Sequence, residues 1–241
     1  MQTRLDKFIS ETMALSRADA KKLISKSAVT VNGTVVKKSD IKVDTATDQI
    51  CVNGRNLVHE QFVYIMLNKP EGVVSASTDK NDVTVIDLVK DDFPRRNLFP
   101  AGRLDKTSTG FVLITDDGRF AHDILSPKHH VPKTYIVTVD SPVTDRVVQA
   151  FEQGVTLADG QLMKSATIIP YDDGYTAQII LHQGVYHQIK RMLGVFDIGV
   201  NTLHRTTIGN LQMPADLQPG EYIKLDSVQL SQITGELFTE N

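Results

Sequence analysis

The stretch that most constrains this chain is Pro100-Ala101-Gly102-Arg103-Leu104-Asp105-Lys106-Thr107-Ser108-Thr109-Gly110, which runs directly into the apolar segment Phe111-Val112-Leu113-Ile114-Thr115. Glycine, proline and a run of hydroxyl residues punctuate regular structure, so the first part reads as a loop. The apolar run, ended by Asp116-Asp117-Gly118, reads as a buried strand with a turn behind it. Asp105 therefore sits on a loop held by core structure, the usual place for a working side chain. Taken alone, an aspartate in such a Gly/Thr-rich loop is most often a turn or cap residue, and the rest of the chain must decide between the two readings.

A chain of 241 residues buries a sizeable core as one large domain or two. Cys51 is the single cysteine, which excludes a disulfide framework and a Cys-based zinc site and points to a reducing compartment. The N-terminal residues Met1-Gln2-Thr3-Arg4-Leu5-Asp6-Lys7 lack the apolar core of a signal peptide, and no apolar run approaches the ~18 residues of a membrane span. A cytoplasmic protein with no membrane partner is expected. The net charge of −3 argues, taken alone, against a nucleic-acid binder. Its distribution argues the other way: residues 1–44 carry nine Lys and Arg against five acids, a balance of +4 that leaves −7 for the remainder. Such asymmetry predicts a small basic binding module joined to a more acidic body.

In chain order, Leu5, Phe8 and Ile9 are spaced for a helix, and Ser16-Arg17-Ala18-Asp19 fits the capping box of a second one, whose apolar face continues through Ala20, Leu23 and Ile24. Two Asn-Gly pairs, Asn32-Gly33 and Asn53-Gly54, each stand between alternating β runs and predict hairpins. His59-Glu60-Gln61 reads as a linker between a domain at 1–59 and another at 60–241. Beyond it, Val63 to Leu67 is a strand stopped by Asn68-Lys69-Pro70-Glu71-Gly72, and Val83, Val85, Ile86, Leu88 and Val89 suggest a short amphipathic helix within Asp79–Arg96. Ala121–Leu125 reads as helical, and Lys133–Val139 alternates as a strand. A helix precedes Gly154, and β structure fills 155–182 with Asp172-Asp173-Gly174 as its turn. A last helix is expected over Tyr186–Phe196, with Ile189, Met192, Leu193 and Phe196 buried and His187, Lys190 and Arg191 on another face. Leu203–Gly209 and Leu217–Leu225 read as strands and loops.

Two short helices followed by a hairpin, with Arg4-Leu5-Asp6-Lys7-Phe8, Ser16-Arg17 and Val29-Thr30-Val31-Asn32-Gly33, resemble the S4 RNA-binding domain. One departure is Ser27-Ala28, where that domain commonly has a glycine before the first β run. Gly102-Arg103-Leu104-Asp105 followed by Thr107-Ser108-Thr109-Gly110 resembles the catalytic-aspartate motif of the pseudouridine synthases. Three further stretches resemble the same family in its RsuA-type branch: Leu67–Gly72, Lys133-Thr134-Tyr135, and Gly184–Leu193. Read singly, Tyr135 is also a plausible core tyrosine and Lys190 a plausible surface lysine.

The resemblance implies an α+β protein, an S4-like domain followed by a mixed, largely antiparallel catalytic domain. It implies a uridine-to-pseudouridine isomerase that needs no cofactor, with Asp105, Tyr135 and Lys190 as catalytic set. Asp105 would act at the ribose, as nucleophile or base, and Tyr135 would stack on a flipped-out base. Lys190 would stand within salt-bridge reach of the carboxylate. RNA contacts are expected from Arg4, Lys7, Arg17, Lys21, Lys22, Arg103, Lys133, His187 and Arg191. The implied partner is ribosomal RNA, small-subunit (16S) first and large-subunit (23S) as the alternative, met by a monomer. A non-catalytic S4 ribosome-assembly factor is the rival class. No metal is expected: His129-His130, His182, His187 and His204 lack the paired spacing of zinc ligands. Gln183 and Val185 depart from the branch's usual Glu and Arg, and Lys190 stands where many pseudouridine synthases carry Arg.

Overall fold

A computed structural model describes residues 2–57, 60–126 and 131–235. It divides the chain into two units, Met1–Gln61 with Phe93–Arg96, and Phe62–Asp92 with Asn97–Asn241. The first unit contains β1 (Gln2–Arg4), α1 (Leu5–Thr12), α2 (Arg17–Ser25), β2 (Val29–Val31), β3 (Thr34–Val35), β4 (Lys42–Asp44), β5 (Ile50–Val52) and β6 (Arg55–Leu57). β1 pairs with β4, and the other four strands form an antiparallel sheet in the order β3-β2-β5-β6. The helical stripe Leu5, Phe8, Ile9, Ala20 and Ile24 closes onto Val29, Val43, Ile50 and Val52 to make one core. Both Asn-Gly pairs take left-handed dihedrals (φ +50° and +79° at 32–33, +50° and +77° at 53–54), as two-residue hairpins require.

Local chemistry sets the element ends. Ser16 Oγ accepts from the Asp19 N–H (3.1 Å) and donates to the Asp19 carboxylate (2.6 Å). That carboxylate engages the hydroxyl, so the expected reciprocal capping box is only half made. Ser27 has φ +61°, so the turn that a glycine would serve is kept by a serine at some conformational cost. Phe93–Arg96 belongs to this unit because Arg95 donates to the carbonyls of Ser10 and Leu15 at the end of α1, while Arg96 donates to those of Glu60 and Gln61.

The second unit contains β7 (Tyr64–Lys69), β8 (Phe99–Pro100), β9 (Thr109–Thr115), α3 (Gly118–Leu125), β10 (Lys133–Val139), α4 (Asp145–Gln153), β11 (Thr167–Pro170), β12 (Thr176–Leu181), α5 (Gln188–Gly194), β13 (Val200–Ile208), β14 (Leu211–Gln212), β15 (Tyr222–Lys224) and α6 (Ser227–Thr234). Its sheet runs β11-β12-β10-β13-β9-β7-β15, with β8 added on β9 and β14 on β13. Every pairing described is antiparallel except β9 with β13. This is the expected α+β class with a mixed, largely antiparallel sheet. One core cluster joins α4 and α5 to β10–β12; a second joins α3 and α6 to β7 and β9.

Four local expectations are corrected. The helix expected within 79–96 is absent, and that segment is a series of turns. The Asp79 carboxylate takes the N–H groups of Asn81 and Asp82, and Asp87 takes the N–H and hydroxyl of Thr84, so side chains outcompete a helical ladder. β7 continues past Leu67 through buried Asn68 and Lys69 rather than stopping before them. Asp117, expected in a turn, is the N-cap of α3 and accepts from the N–H groups of Arg119 and Phe120. α5 starts at Gln188 rather than Tyr186, because His187 is left-handed (φ +51°) and breaks the helical path. α6, beyond the last segment for which the sequence predicts an element, begins in a full capping box between Asp226 and Gln229.

Candidate active site

The loop bearing Asp105 is held from behind by three devices. Ser75 Oγ donates to the Leu104 carbonyl (2.9 Å) and accepts from the Leu104 N–H (3.0 Å). The Gly72 N–H donates to the Lys106 carbonyl (2.9 Å). Beneath both, Lys69, fully buried, donates through Nζ to the carbonyls of Pro70 (2.9 Å), Lys106 (3.3 Å) and Ser108 (2.7 Å). Burial lowers its pKa to about 8, although the Asp105 and Glu71 carboxylates pull the other way. Gly110 ends the loop with φ +100°, where a Cβ would lie 2.3 Å from the Arg205 carbonyl oxygen. Only glycine lets β9 and β13 approach there.

Asp105 itself is partly exposed, and α5 together with the residue that caps its N-terminus brings two side chains to its carboxylate. His187 Nε2 lies 3.2 Å from Oδ1, and Lys190 Nζ lies 4.0 Å from Oδ2. Lys190 also donates to Thr107 Oγ1 (3.1 Å), so it stands as a counter-charge at the edge of ion-pair range. The left-handed backbone at His187 turns its ring toward Asp105 and lets exposed Tyr186 stack upon it, with centroids 3.8 Å apart and planes at 18°. Val185 N–H bonds the Gln188 side chain, closing the turn that precedes α5.

The third wall comes from the sheet. Tyr135 on β10 is half-buried, and its neighbour across the ladder is Arg205 on β13. The pairing skips Thr206, an irregularity of the kind that re-aims side chains. Arg205 is 4% exposed, donates from Nε to the Phe111 carbonyl (2.7 Å), and places its guanidinium carbon 5.9 Å from the Tyr135 ring centroid. Lys133, two residues before Tyr135, turns its amine onto the carbonyls of Val131 (2.7 Å) and Ile124 (3.2 Å). Burial first, then the Arg205 charge, lowers its pKa to about 8. These walls enclose a pocket of about 590 Å³ lined by Asp105, Tyr135 and Lys190 together with Arg103, Lys133, His187 and Arg205. That volume is of the size that takes one flipped nucleoside or a drug-sized ligand.

The other residues expected to contact RNA are placed as follows. Arg103 is exposed at the pocket rim, whereas Arg191 pairs with Asp159. In the first unit, Arg17 and Lys21 are exposed, Lys22 is exposed beside Asp19, and Lys7 lies 3.8 Å from Glu11. Arg4 forks onto the buried Asp6 carboxylate through two hydrogen bonds (3.0 and 2.8 Å), which holds that carboxyl below its usual range. The departures Gln183 and Val185 both line the pocket. Among the histidines, His204 bonds Thr109 Oγ1 (2.9 Å), and no group of metal-holding side chains occurs among the described residues. His129 and His130 lie outside the described residues.

Sequence reasoning missed two members of this site. Lys69 was visible in Leu67–Gly72, but a strand read as ending at Leu67 leaves it on a turn. Arg205 sits in an alternating β run with nothing local to mark it as buried. The one usable signal was position: Leu203 and Arg205 share a face, so an inward leucine carries the arginine inward too.

The comparisons with known proteins bear on the same residues. The model of the family described as RNA pseudouridylate synthase matches residues 63–194, and the S4 domain model matches residues 3–50. The chain is 39% identical to the ribosomal small subunit pseudouridine synthase A of Pasteurella multocida, covering 95% of this chain and 98% of that one. It is 37% identical to the protein of the same name from Escherichia coli K12, over 95% and 99%, and 38% identical to the uncharacterized RNA pseudouridine synthase YtzG of Bacillus subtilis, over 94% and 96%. A crystal structure described as a pseudouridylate synthase superposes with a TM-score of 0.67 at 37% identity, over 95% of this chain and 99% of that one. With an S4 domain in front and that fold behind it, the chain belongs to the RNA pseudouridylate synthase family.

Proposed function

We infer that this enzyme isomerises a uridine of ribosomal RNA, in the small subunit (16S), with Asp105 as the group that acts at the ribose, Tyr135 as the platform for the flipped base and Lys190 as the counter-charge of Asp105. The observation that carries the reading is the convergence of those three side chains, from a loop, a strand and a helix far apart in sequence, on one pocket. The near full-length likeness to relatives named for the small subunit supports the choice of RNA. The division of labour follows from charge. The basic first unit supplies phosphate contacts that hold RNA without reading the target, whereas the pocket does the chemistry.

A single carboxylate suffices because the detached base stays in the pocket and no water need be activated, in contrast to inverting glycoside hydrolysis. His187 and Lys190 hold the two oxygens of Asp105 in place while the base is brought to it. The test is to map pseudouridine in ribosomal RNA from cells with and without this protein. Loss of one small-subunit site, restored by the wild-type gene and not by Asp105→Asn, is the expected result. Loss of a large-subunit site instead would move the substrate, and an unchanged map would sink the reading.

A further inference from the structure

Arg205, buried, and Lys133, partly buried, are two cations on neighbouring strands that both line the pocket, and no carboxylate pairs with either among the described residues. Their partners are main-chain carbonyls: Phe111 for Arg205, Val131 and Ile124 for Lys133. Arg205 Nη2 has no hydrogen-bond partner among the described residues. Withdrawing a charge from water without an opposite charge is costly, and here a buried cation and a partly desolvated one share a pocket. The two cations repel one another, which is part of why Lys133 holds its proton less tightly than a free lysine. With a pKa of about 8 it is nevertheless charged at neutral pH. The fold carries a positive potential here that its own stability does not call for.

The reaction supplies the missing negative charge. When the bond between N1 and C1′ breaks, its electron pair leaves with the base, giving a uracil anion. If Asp105 attacks C1′, the carboxylate becomes a neutral ester. If it takes the C2′ proton, it becomes a neutral acid and the sugar keeps the electrons of the C–H bond as a new double bond. Either way one negative charge disappears from Asp105 and appears on the base. His187 and Lys190 serve the charge where it starts. We propose that Arg205 and Lys133 serve it where it arrives: they are a preorganised positive floor, behind the Tyr135 ring, that stabilises the detached uracil as an anion until C5 rejoins C1′. A fixed charge in a partly desolvated site acts in this way without reorganising during the reaction. The geometry around Tyr135 fits the role, since the guanidinium stands 5.9 Å from the ring on which the base would lie.

The proposal rests on the reading of Asp105 and Tyr135 given above, and the experiment separates the two. Single-turnover consumption of the target nucleoside is followed in a small-subunit RNA transcript carrying either uridine or 5-fluorouridine, whose detached base is the more stable anion. Arg205→Met should lower the rate on uridine by about a hundredfold or more, the effect of removing one preorganised donor or charge. The loss on 5-fluorouridine should be at least tenfold smaller. RNA affinity should stay within about threefold, and Arg205→Lys should recover much of the rate, because it restores charge without the planar fork. Equal losses on the two nucleosides, or no loss, would overturn the proposal. Thermal unfolding is read on the same variants. A midpoint that is unchanged or raised in Arg205→Met supports a charge kept for function, and a fall of more than about 3 °C would show a structural residue and overturn it. Wild-type protein inert on both transcripts would count against the RNA assignment alone, and the unfolding result would then decide for or against the buried charge.

Discussion

At the scale of single residues, Asp105 is held at both oxygens, by His187 at 3.2 Å and Lys190 at 4.0 Å. Asp105→Asn is nearly isosteric on a loop held by Ser75, Gly72 and Lys69, so it should fold and bind RNA normally. An amide is a poor nucleophile and a poor base, and product should fall below about a thousandth of wild type in a single-turnover assay. Lys190→Met should lose most activity with nearly unchanged RNA binding, while Lys190→Arg retains much of it. Equal losses in both variants, measured as kcat/KM, would deny the charge its role. Lys69 makes a separate prediction. Its folded pKa of about 8 lies below the ordinary lysine value of 10.5, so between those values the unfolded chain binds more protons than the native one. Its contribution to stability therefore rises with pH across roughly 8 to 10.5 and is flat below. The thermal midpoint of wild type, followed against that of Lys69→Met, should gain on the variant over that window; parallel curves would show that Lys69 titrates normally.

At the scale of elements, the site depends on strand junctions more than on helices. β9 and β13 touch in parallel at only two described pairs, His204 with Thr109 and Arg205 with Gly110. That short contact places the Asp105 loop beside Arg205. Gly110→Ala would drive a Cβ to 2.3 Å from the Arg205 carbonyl at a left-handed φ, so it should destabilise the protein by roughly 2–4 kcal/mol in denaturant titrations. A smaller shift would mean that β13 gives way without harm. Several elements were legible beforehand for simple reasons. Both Asn-Gly hairpins have one favoured geometry, α4 has its apolar stripe, and β10 alternates. The segment 79–96 misled because its valines match a helical period, while Asp79, Thr84 and Asp87 satisfy the backbone from their side chains. Periodicity records which residues are apolar and cannot weigh that competition.

At the scale of the whole molecule, the proposed function gives affinity to the basic first unit and chemistry to the acidic remainder. Lys21→Glu with Lys22→Glu should weaken RNA binding most at low salt and reduce the slope of log K against log salt by about 1–2. An unchanged slope would remove the S4 unit from the binding account. The first unit is not contiguous in sequence, since Phe93–Arg96 returns to it through carbonyl contacts made by Arg95 and Arg96.

Local pattern sufficed for the two Asn-Gly turns, the apolar stripes of the first unit, the strand after Gly110 and the family motifs that singled out Asp105, Tyr135 and Lys190. The turns, stripes and strand depend on near-neighbour sterics and on hydrophobic period, which a linear string carries in full, whereas the three residues were singled out by resemblance to a family. What only the tertiary structure decided was which of these residues meet and what lies buried around them. His187 leaves the helix to reach Asp105, Lys69 sits beneath the loop, and Arg205 is enclosed beside Tyr135 with no acid to match it among the described residues. Burial and charge pairing are sums over neighbours from distant strands, so the same lysine or arginine is a solvated surface group or a buried potential according to contacts that its own stretch of sequence does not contain.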